Sequence, residues 1–188
     1  MNAELFYLVG KPNHIKQALV SQLCIKLCDE HSILVPEVFT TDEVIAAGDN
    51  YIHVEERDFH LRQSMGMYCL TWTKNNCFYA VGADLIQRLH TGIDVILNGS
   101  LHNLEEATKQ FPNLNTVLVQ KEGSIVREQS NRYLITEDDE VKLEWSDQET
   151  DLGHPYILTL QSEHSMDNAV DMLISLVTYE KSCLDKVV

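Results

Sequence analysis

Basic residues are scarce in this chain of 188 residues, in which 14 Lys and Arg stand against 29 Asp and Glu, for a formal net charge of -15. Non-specific nucleic-acid binding depends on Lys and Arg side chains that neutralise phosphates, so this composition argues against a nucleic-acid partner. A site for a phosphorylated ligand would have to concentrate the few cations in one cleft, because the ligand itself is negatively charged.

Long apolar runs are also missing. No run approaches the roughly 20 residues that a membrane helix needs, and the apolar run from Leu5 to Val9 has only the length of a strand. The first four residues carry no cationic run of the kind that begins a secretory signal, so we expect no membrane association. The five cysteines are an odd number scattered through apolar segments, which predicts reduced, mostly buried thiols in a cytoplasmic protein.

Metal-ligand and nucleophile patterns are absent as well. The eight histidines form no tight cluster, and His53 and His60 are separated by charged residues typical of a solvated surface. Cys24 and Cys28 lie one helical turn apart beside leucines, which favours buried thiols over a metal or redox pair. No Gly-x-Ser-x-Gly segment marks a nucleophile elbow, so we predict neither a protein-bound metal nor a serine hydrolase site.

What the chain does contain is an alternation of short β-rich apolar runs with segments of helical period. With 44% hydrophobic residues, it predicts a single α/β domain, residues 1–188, with a largely parallel sheet. The predicted strands cover 5–9, 33–35 with 38–39, 67–73, 77–81, 93–97, 116–119 and 155–160. The predicted helices cover 13–30, 54–65, 84–90, 101–111 and 166–179. The acidic segment 136–151 is predicted to form an exposed helix or a mobile flap.

The junction between the first strand and the first helix is the position at which many α/β proteins bind phosphates. It reads GKPNHIKQA from Gly10 to Ala18. A phosphate-binding loop has glycine, four residues, glycine, lysine and then serine or threonine. Gly10 and Lys16 match that spacing, whereas Ile15 replaces the second glycine and Gln17 replaces the hydroxyl residue that would ligate Mg²⁺. We expect Ile15 to crowd a phosphate cavity, and an ordinary β–α turn with a solvated Lys16 is the alternative.

The central segment from Asp49 to Leu104 carries a more specific pattern. It includes Trp72, a Tyr-x-Val-Gly element from Tyr79 to Gly82, and an Asn-Gly-Ser element from Asn98 to Ser100. In type and spacing this segment resembles the ribose 1,5-bisphosphate phosphokinase family, a guanylate-kinase-like branch of the P-loop kinases. Weaker similarity extends to both ends of the chain.

The resemblance implies a fold and an activity. The fold would be a three-layer α/β/α P-loop kinase-like domain with a largely parallel sheet, an acceptor-binding insert at about 37–81 and a lid at about 121–150. The activity would be phosphoryl transfer from ATP, with Mg²⁺, to ribose 1,5-bisphosphate, giving phosphoribosyl pyrophosphate in phosphonate or nucleotide metabolism.

The resemblance also implies roles for individual residues. Lys16 and Asp42 would be catalytic. The phosphate-binding residues would be Gly10, Lys11, Lys16, Arg127 and Arg132, and the acceptor-binding residues Asp58, Tyr79, Asp94 and Asn98. For Asp42 and Asp94, local hydrogen bonding at a turn or strand boundary is the alternative, and for Tyr79 it is core packing.

Three parts of the chain depart from the family pattern together. Glu37 and Thr41 stand where the family has arginines that grip acceptor phosphates, and the lid turns acidic at 137–140. Together with the altered phosphate loop, this supports a second hypothesis, a catalytically inactive kinase-fold protein that serves as a ligand sensor or interaction module. Its expected partner is a small phosphorylated metabolite, and the sequence leaves a homodimer open.

Overall fold

The computed structural model of the protein describes residues 3–11, 13–27, 32–48, 50–121, 126–129, 132–135, 150–151, 156–160 and 166–184. Its central element is a five-stranded sheet in the order β12-β8-β1-β7-β2, in which every neighbouring pair is parallel. These strands are β1 (Leu5–Lys11), β2 (Ile33–Leu34), β7 (Asp94–Asn98), β8 (Asn115–Lys121) and β12 (Tyr156–Leu160).

Helices cover both faces of this sheet. Alternate residues of β1 point to opposite faces, so Phe6 and Leu8 enter one core cluster and Leu5, Tyr7 and Val9 enter another. The first cluster is closed by α1 (Asn13–Lys26) and α6 (Met166–Leu184). The second is closed by α4 (Asp84–His90) and α5 (Leu104–Gln110), the latter following a 3₁₀ turn at Leu101–Asn103. The predicted three-layer α/β/α fold with a largely parallel sheet is therefore confirmed.

A second sheet is formed within the segment from Val38 to Gly82, where the resemblance implies the acceptor insert. Its order is β4-β3-β6-β5, with a small core around Val54, Phe59 and Ala80. Its elements are β3 (Val38–Thr40), α2 (Glu43–Ala46), β4 (Tyr51–His53), α3 (Glu56–Ser64), β5 (Tyr68–Lys74) and β6 (Cys77–Gly82).

The predicted lid segment contains strands. β10 (Arg132–Ile135) pairs antiparallel with β9 (Val126–Gln129) and with β11 (Thr150–Asp151). Residues 150–151 are thus a strand, not the end of a helix or flap. Residues 136–149, on which most of that prediction falls, lie outside the described residues.

Several element bounds differ from the predicted ones. The closing helix α6 runs to Leu184, five residues past the predicted end, and the helix predicted over 101–111 begins with a 3₁₀ turn. The thiols of Cys24, Cys69 and Cys77 are half-buried instead of buried. Among the helices that the structure describes, none combines the length and apolar character that a bilayer crossing requires.

Position 10 has to be glycine because its backbone lies against β8, and a substitution can test this requirement. Its φ is +133°, and a Cβ added there would lie 1.9 Å from the carbonyl oxygen of Val119. Gly10→Ala should therefore lower the free energy of unfolding by about 3 kcal/mol or more, measured by urea denaturation. The matched control is Gly66→Ala: φ is +70° with no atom within 4 Å, so only backbone strain of about 1 kcal/mol is expected. Equal losses in the two variants would show that the β1–β8 contact does not set the requirement.

Candidate phosphate-binding site

A small cavity lies at the carboxyl ends of β1 and β7, the edge at which parallel α/β sheets bind ligands. Its volume is about 70 Å³, and it is closed on one side by the core sheet and on the other by the insert. Its lining residues are Gly10, Lys16, Gln17, Ile45, Tyr51, Trp72, Lys74, Tyr79, Asn98, Gly99, Ser100, Leu101 and His102. None of these described lining residues is acidic, although the chain as a whole carries a large excess of carboxylates.

The junction between β1 and α1 is short. A single residue, Pro12, separates the last residue of β1 from the first residue of α1. Ile15 is already helical, and its half-buried side chain packs against the core cluster under α1. The prediction that Ile15 would crowd the phosphate cavity is therefore wrong: as part of the helix predicted over 13–30, Ile15 packs against the core and does not line the cavity.

Lys16 is buried at the bottom of this cavity. It is 6% exposed, and its Nζ donates a hydrogen bond to the carbonyl oxygen of Gly99, in the loop after β7. Burial, with a smaller contribution from the charge of Lys74, lowers the pKa of Lys16 to about 7. The alternative of a solvated Lys16 is excluded. Near neutral pH this amine changes charge readily.

Tyr7 positions the loop that carries this carbonyl group. The Tyr7 hydroxyl donates to Ser100 O at 3.2 Å and accepts from Ser100 N at 3.1 Å. Burial raises the pKa of Tyr7 to about 12, so the hydroxyl keeps its proton. A Cβ on Gly99 would lie 2.3 Å from the Tyr7 ring, so only glycine lets the loop approach this closely. The acceptor for Lys16 is thus fixed by contacts within the core sheet.

Gln17, Tyr51 and Asn98 form a polar network beside Lys16. Asn98 Nδ2 donates to the Tyr51 hydroxyl at 3.0 Å, and the Gln17 side chain lies close enough to the same hydroxyl to lower its pKa. Burial raises the pKa of Tyr51. Asn98 is 2% exposed, and its Oδ1 has no hydrogen-bond partner among the described residues. A buried acceptor without a hydrogen-bond donor destabilises the folded protein, so this oxygen needs a donor from a ligand or a water.

Asp42 and Tyr79 are connected to each other on the insert side. Asp42 Oδ1 accepts from the backbone N–H groups of Val44 and Ile45 at the start of α2, and Tyr79 donates its hydroxyl proton to Asp42 Oδ2 at 3.1 Å. Burial and the negative Asp42 carboxylate raise the pKa of Tyr79. The Tyr79 ring stacks on Trp72, with centroids 5.5 Å apart and planes inclined by 9°. Both Asp42 oxygens therefore have structural partners, and its catalytic role stays a prediction.

Other predicted site residues lie apart from the cavity. Asp94 is the first residue of β7, so it lies about 13 Å along the strand from Asn98. Its Oδ1 accepts from Glu4 N at 3.0 Å at the opposite edge of the sheet. Asp58 is exposed in the first turn of α3 and does not line the cavity. The structure thus does not bring these two carboxylates to the site.

The remaining predicted phosphate ligands are described only by their backbone. Lys11 ends β1 opposite Gln120, Arg127 lies opposite Leu134, and Arg132 lies opposite Gln129. Their roles stay predictions.

Sequence reasoning assigned no site role to several lining residues, among them Tyr51, Trp72 and Lys74. The predicted strand over 67–73 stops before Lys74, whereas the structure makes Lys74 the last residue of β5. The alternation of a strand could have found it, because Trp72 and Lys74 are two positions apart and therefore share a face.

The residues at the phosphate-loop positions differ from those of a Mg²⁺-nucleotide site. Only Pro12 lies between β1 and α1, where the phosphate-loop pattern has its glycine-rich loop. Gln17 offers an amide, close to the Tyr51 hydroxyl, where a magnesium-binding hydroxyl would stand. In the described part of the chain, no group of three or more His, Cys, Asp or Glu residues is placed to hold a metal ion.

The fold is that of the guanylate kinases. The crystal structure of guanylate kinase from Anaplasma phagocytophilum matches with a TM-score of 0.62 and 11% sequence identity, over 95% of this chain and 86% of that one. This likeness defines the class as a guanylate-kinase-like α/β domain.

Curated relatives narrow that class to one family. The chain is 30% identical to ribose 1,5-bisphosphate phosphokinase PhnN of Enterobacter lignolyticus over 129 residues, which are 68% of this chain and 67% of the relative. It is 27% identical to that of Desulfomicrobium baculatum, over 67% of each chain. It is 24% identical to that of Psychromonas ingrahamii, over 93% of this chain and 89% of the relative. No family model matches the chain. The chain belongs to the ribose 1,5-bisphosphate phosphokinase family.

Burial of Lys16 predicts a pH-dependent stability. The unfolded chain holds the Lys16 proton up to its ordinary pKa of 10.5 and the folded protein only to about 7, so between these values the unfolded state binds more protons. Stability conferred by this group therefore rises with pH in that window. From pH 6 to pH 9, wild type should gain about 3 kcal/mol of unfolding free energy relative to Lys16→Met, measured by urea denaturation at each pH. A difference that stays constant with pH would contradict the lowered pKa.

Proposed function

We propose that this protein binds the phosphate group of a phosphorylated ribose in the cavity around Lys16 and does not transfer phosphate from ATP. It would then be a ligand-binding protein built on a kinase fold. The observation that carries the proposal is the junction of β1 and α1: the helix begins three residues before Lys16, and the Lys16 amine bonds to Gly99 instead of facing an open phosphate loop.

The charge of the lining supports an anionic ligand. Lys16 and Lys74 both face the cavity, with His102 at its rim, and no described lining residue is acidic. In a chain of net charge -15, such a lining is a local reversal of the average potential. A low-dielectric cavity with cations strengthens charge-assisted hydrogen bonds to phosphate oxygens.

The cavity volume supports a single phosphate group. A water needs about 10 to 15 Å³ of such volume, so 70 Å³ accommodates about five small atoms, the number in a phosphate group. Whole drug-sized ligands need about 300 Å³ or more. The rest of the ligand would extend past the stacked rings of Trp72 and Tyr79, which form an apolar wall.

The residues at the acceptor-arginine positions support binding without transfer. Phosphoryl transfer depends on cations that neutralise charge developing on the moving phosphoryl group. Thr41 Oγ1 instead accepts a hydrogen bond from Phe78 N at 2.9 Å, and Glu37 is an exposed acid. Each lost cation is thus replaced by a residue with no charge to offer or with the wrong sign.

Calorimetry with matched ligands tests this proposal. Ribose 5-phosphate should bind to wild type, unphosphorylated ribose should not, and Mg²⁺-ATP should neither bind at millimolar concentration nor displace the sugar phosphate. Lys16→Met should weaken ribose 5-phosphate binding at least tenfold, whereas the control Lys109→Met, which removes an exposed lysine of α5, should change it less than twofold. Equal binding of ribose and its phosphate would refute an anion site.

The competing function is the family reaction itself, phosphorylation of ribose 1,5-bisphosphate by ATP. It is favoured by the position of Lys16, which keeps a cation at the carboxyl edge of β1. Incubation with Mg²⁺-ATP and ribose 1,5-bisphosphate, followed by ³¹P NMR, separates the two functions. We expect no pyrophosphate resonances of phosphoribosyl pyrophosphate; their growth at a rate proportional to protein concentration would establish transfer and overturn our proposal.

Restoring the loop residues should not create a kinase. Ile15→Gly with Gln17→Ser gives the phosphate-loop pattern back, but the β1–α1 junction still contains one residue and positions 37 and 41 still lack cations. We expect no transfer product in the same ³¹P NMR experiment. We also expect lower stability, because the half-buried Ile15 side chain leaves the core. Product formation by this double variant would show that those two residues alone block catalysis.

A further inference from the structure

Lys74 is held in the cavity by the geometry of the β5–β6 hairpin. The two hairpin residues, Asn75 and Asn76, have φ values of +50° and +61°, as a type I′ turn requires. This turn fixes the strand register, with Lys74 opposite Cys77 and Trp72 opposite Tyr79. Trp72 and Lys74 therefore share one face of β5, and both line the cavity.

Lys74 and Lys16 reach the cavity from different layers of the molecule. Lys16 comes from α1 on the core sheet, and Lys74 comes from the insert. They are close enough for the charge of Lys74 to lower the pKa of Lys16. Two positively charged ammonium groups that face one cavity repel each other. An anion bound between them would offset this repulsion.

The other groups around the cavity do not supply that anion. The titratable side chains in the lining are Tyr51 from β4, Tyr79 from β6 and His102 from the 3₁₀ turn, and none of these is an acid. The nearby Asp42 carboxylate is hydrogen-bonded to the Tyr79 hydroxyl and to the start of α2. Within the described residues, the pair of lysines therefore has no carboxylate partner in the cavity lining.

Asn98 provides an independent sign that the cavity takes a ligand. Its unpaired Oδ1 is buried in the same lining and needs a hydrogen-bond donor. A hydroxyl group on the ligand would provide one. The site therefore combines two cations with one buried acceptor, which suits a phosphate ester of a hydroxylated compound.

We propose that Lys74 is a ligand-binding residue that, with Lys16, clamps the phosphate group of a hydroxylated phosphate ester, supplying from the β5–β6 hairpin the second cation that Glu37 and Thr41 do not. This inference rests on the proposed binding function. It adds the identity of the second cation and predicts that the ligand joins the insert to the core sheet.

Calorimetry on Lys74 variants tests the clamp, with ribose 5-phosphate as the probe at pH 7.5. Lys74→Met should weaken binding at least tenfold, because one of two charge-assisted contacts is lost. Lys74→Arg keeps the charge and should stay within about threefold of wild type. Lys109→Met removes the same charge from an exposed site on α5 and should stay within about twofold.

The outcomes separate the inference from the function on which it rests. If wild type binds the probe and Lys74→Met binds it equally well, the clamp is wrong and the proposed function stands. If wild type does not bind the probe at all, both fail. Thermal denaturation of each variant shows whether it is folded. If Lys74→Met is not folded, the comparison with wild type rests on Lys74→Arg.

NMR titration of the lysine side chains gives a readout that loss of packing alone would not produce. In the free protein, Lys74→Met should raise the pKa of Lys16 above about 7, because a neighbouring positive charge is removed. Ribose 5-phosphate should raise the Lys16 pKa in wild type, and by less in Lys74→Met. An unchanged Lys16 titration in the variant would show that the two amines do not share the cavity.

Discussion

The hydrogen bond from Lys16 to the carbonyl oxygen of Gly99 is the interaction on which the candidate site depends. A buried amine needs an acceptor, and this one takes it from the loop after β7. Two contacts of Tyr7 place that carbonyl group. The Tyr7 hydroxyl hydrogen-bonds both backbone groups of Ser100, and Gly99 has no Cβ that would clash with the Tyr7 ring. The start of α1, the ends of β1 and β7, and the floor of the cavity are thereby fixed as one unit.

This internal bond would also let an acidic protein keep the proposed anion site. Burial makes the charge of Lys16 easy to lose near pH 7, which limits the cost of an ammonium group without a carboxylate partner. An arriving phosphate would favour the charged form again. The cavity therefore does not need a permanent counter-ion, and the absence of acids from its described lining leaves the second lysine, Lys74, free to attract the ligand.

The sequence predicted the fold well because the buried strands of a parallel sheet are continuous apolar runs, and β1 and β7 are read directly from such runs. It also indicated Lys16, Asn98 and Tyr79, which the structure brings to one cavity. It could not indicate which end of β7 faces that cavity, so Asp94 was grouped with Asn98 although it lies at the opposite edge. For Ile15 the sequence contained two conflicting indications, the predicted helix over 13–30 and the phosphate-loop spacing, and the structure agrees with the helix. Lys74 was missed since its role depends on hairpin register.

Three of the residues that depart from the kinase pattern make contacts within the fold. Gln17 lies beside the Tyr51 hydroxyl, Thr41 accepts a hydrogen bond from the backbone of β6, and Ile15 packs into the core under α1. These three positions support the local structure or the cavity wall. Reverting one of them removes a structural contact without opening the junction between β1 and α1. Under the proposed binding function, residues held in this way would keep an anion in place without taking part in phosphoryl transfer.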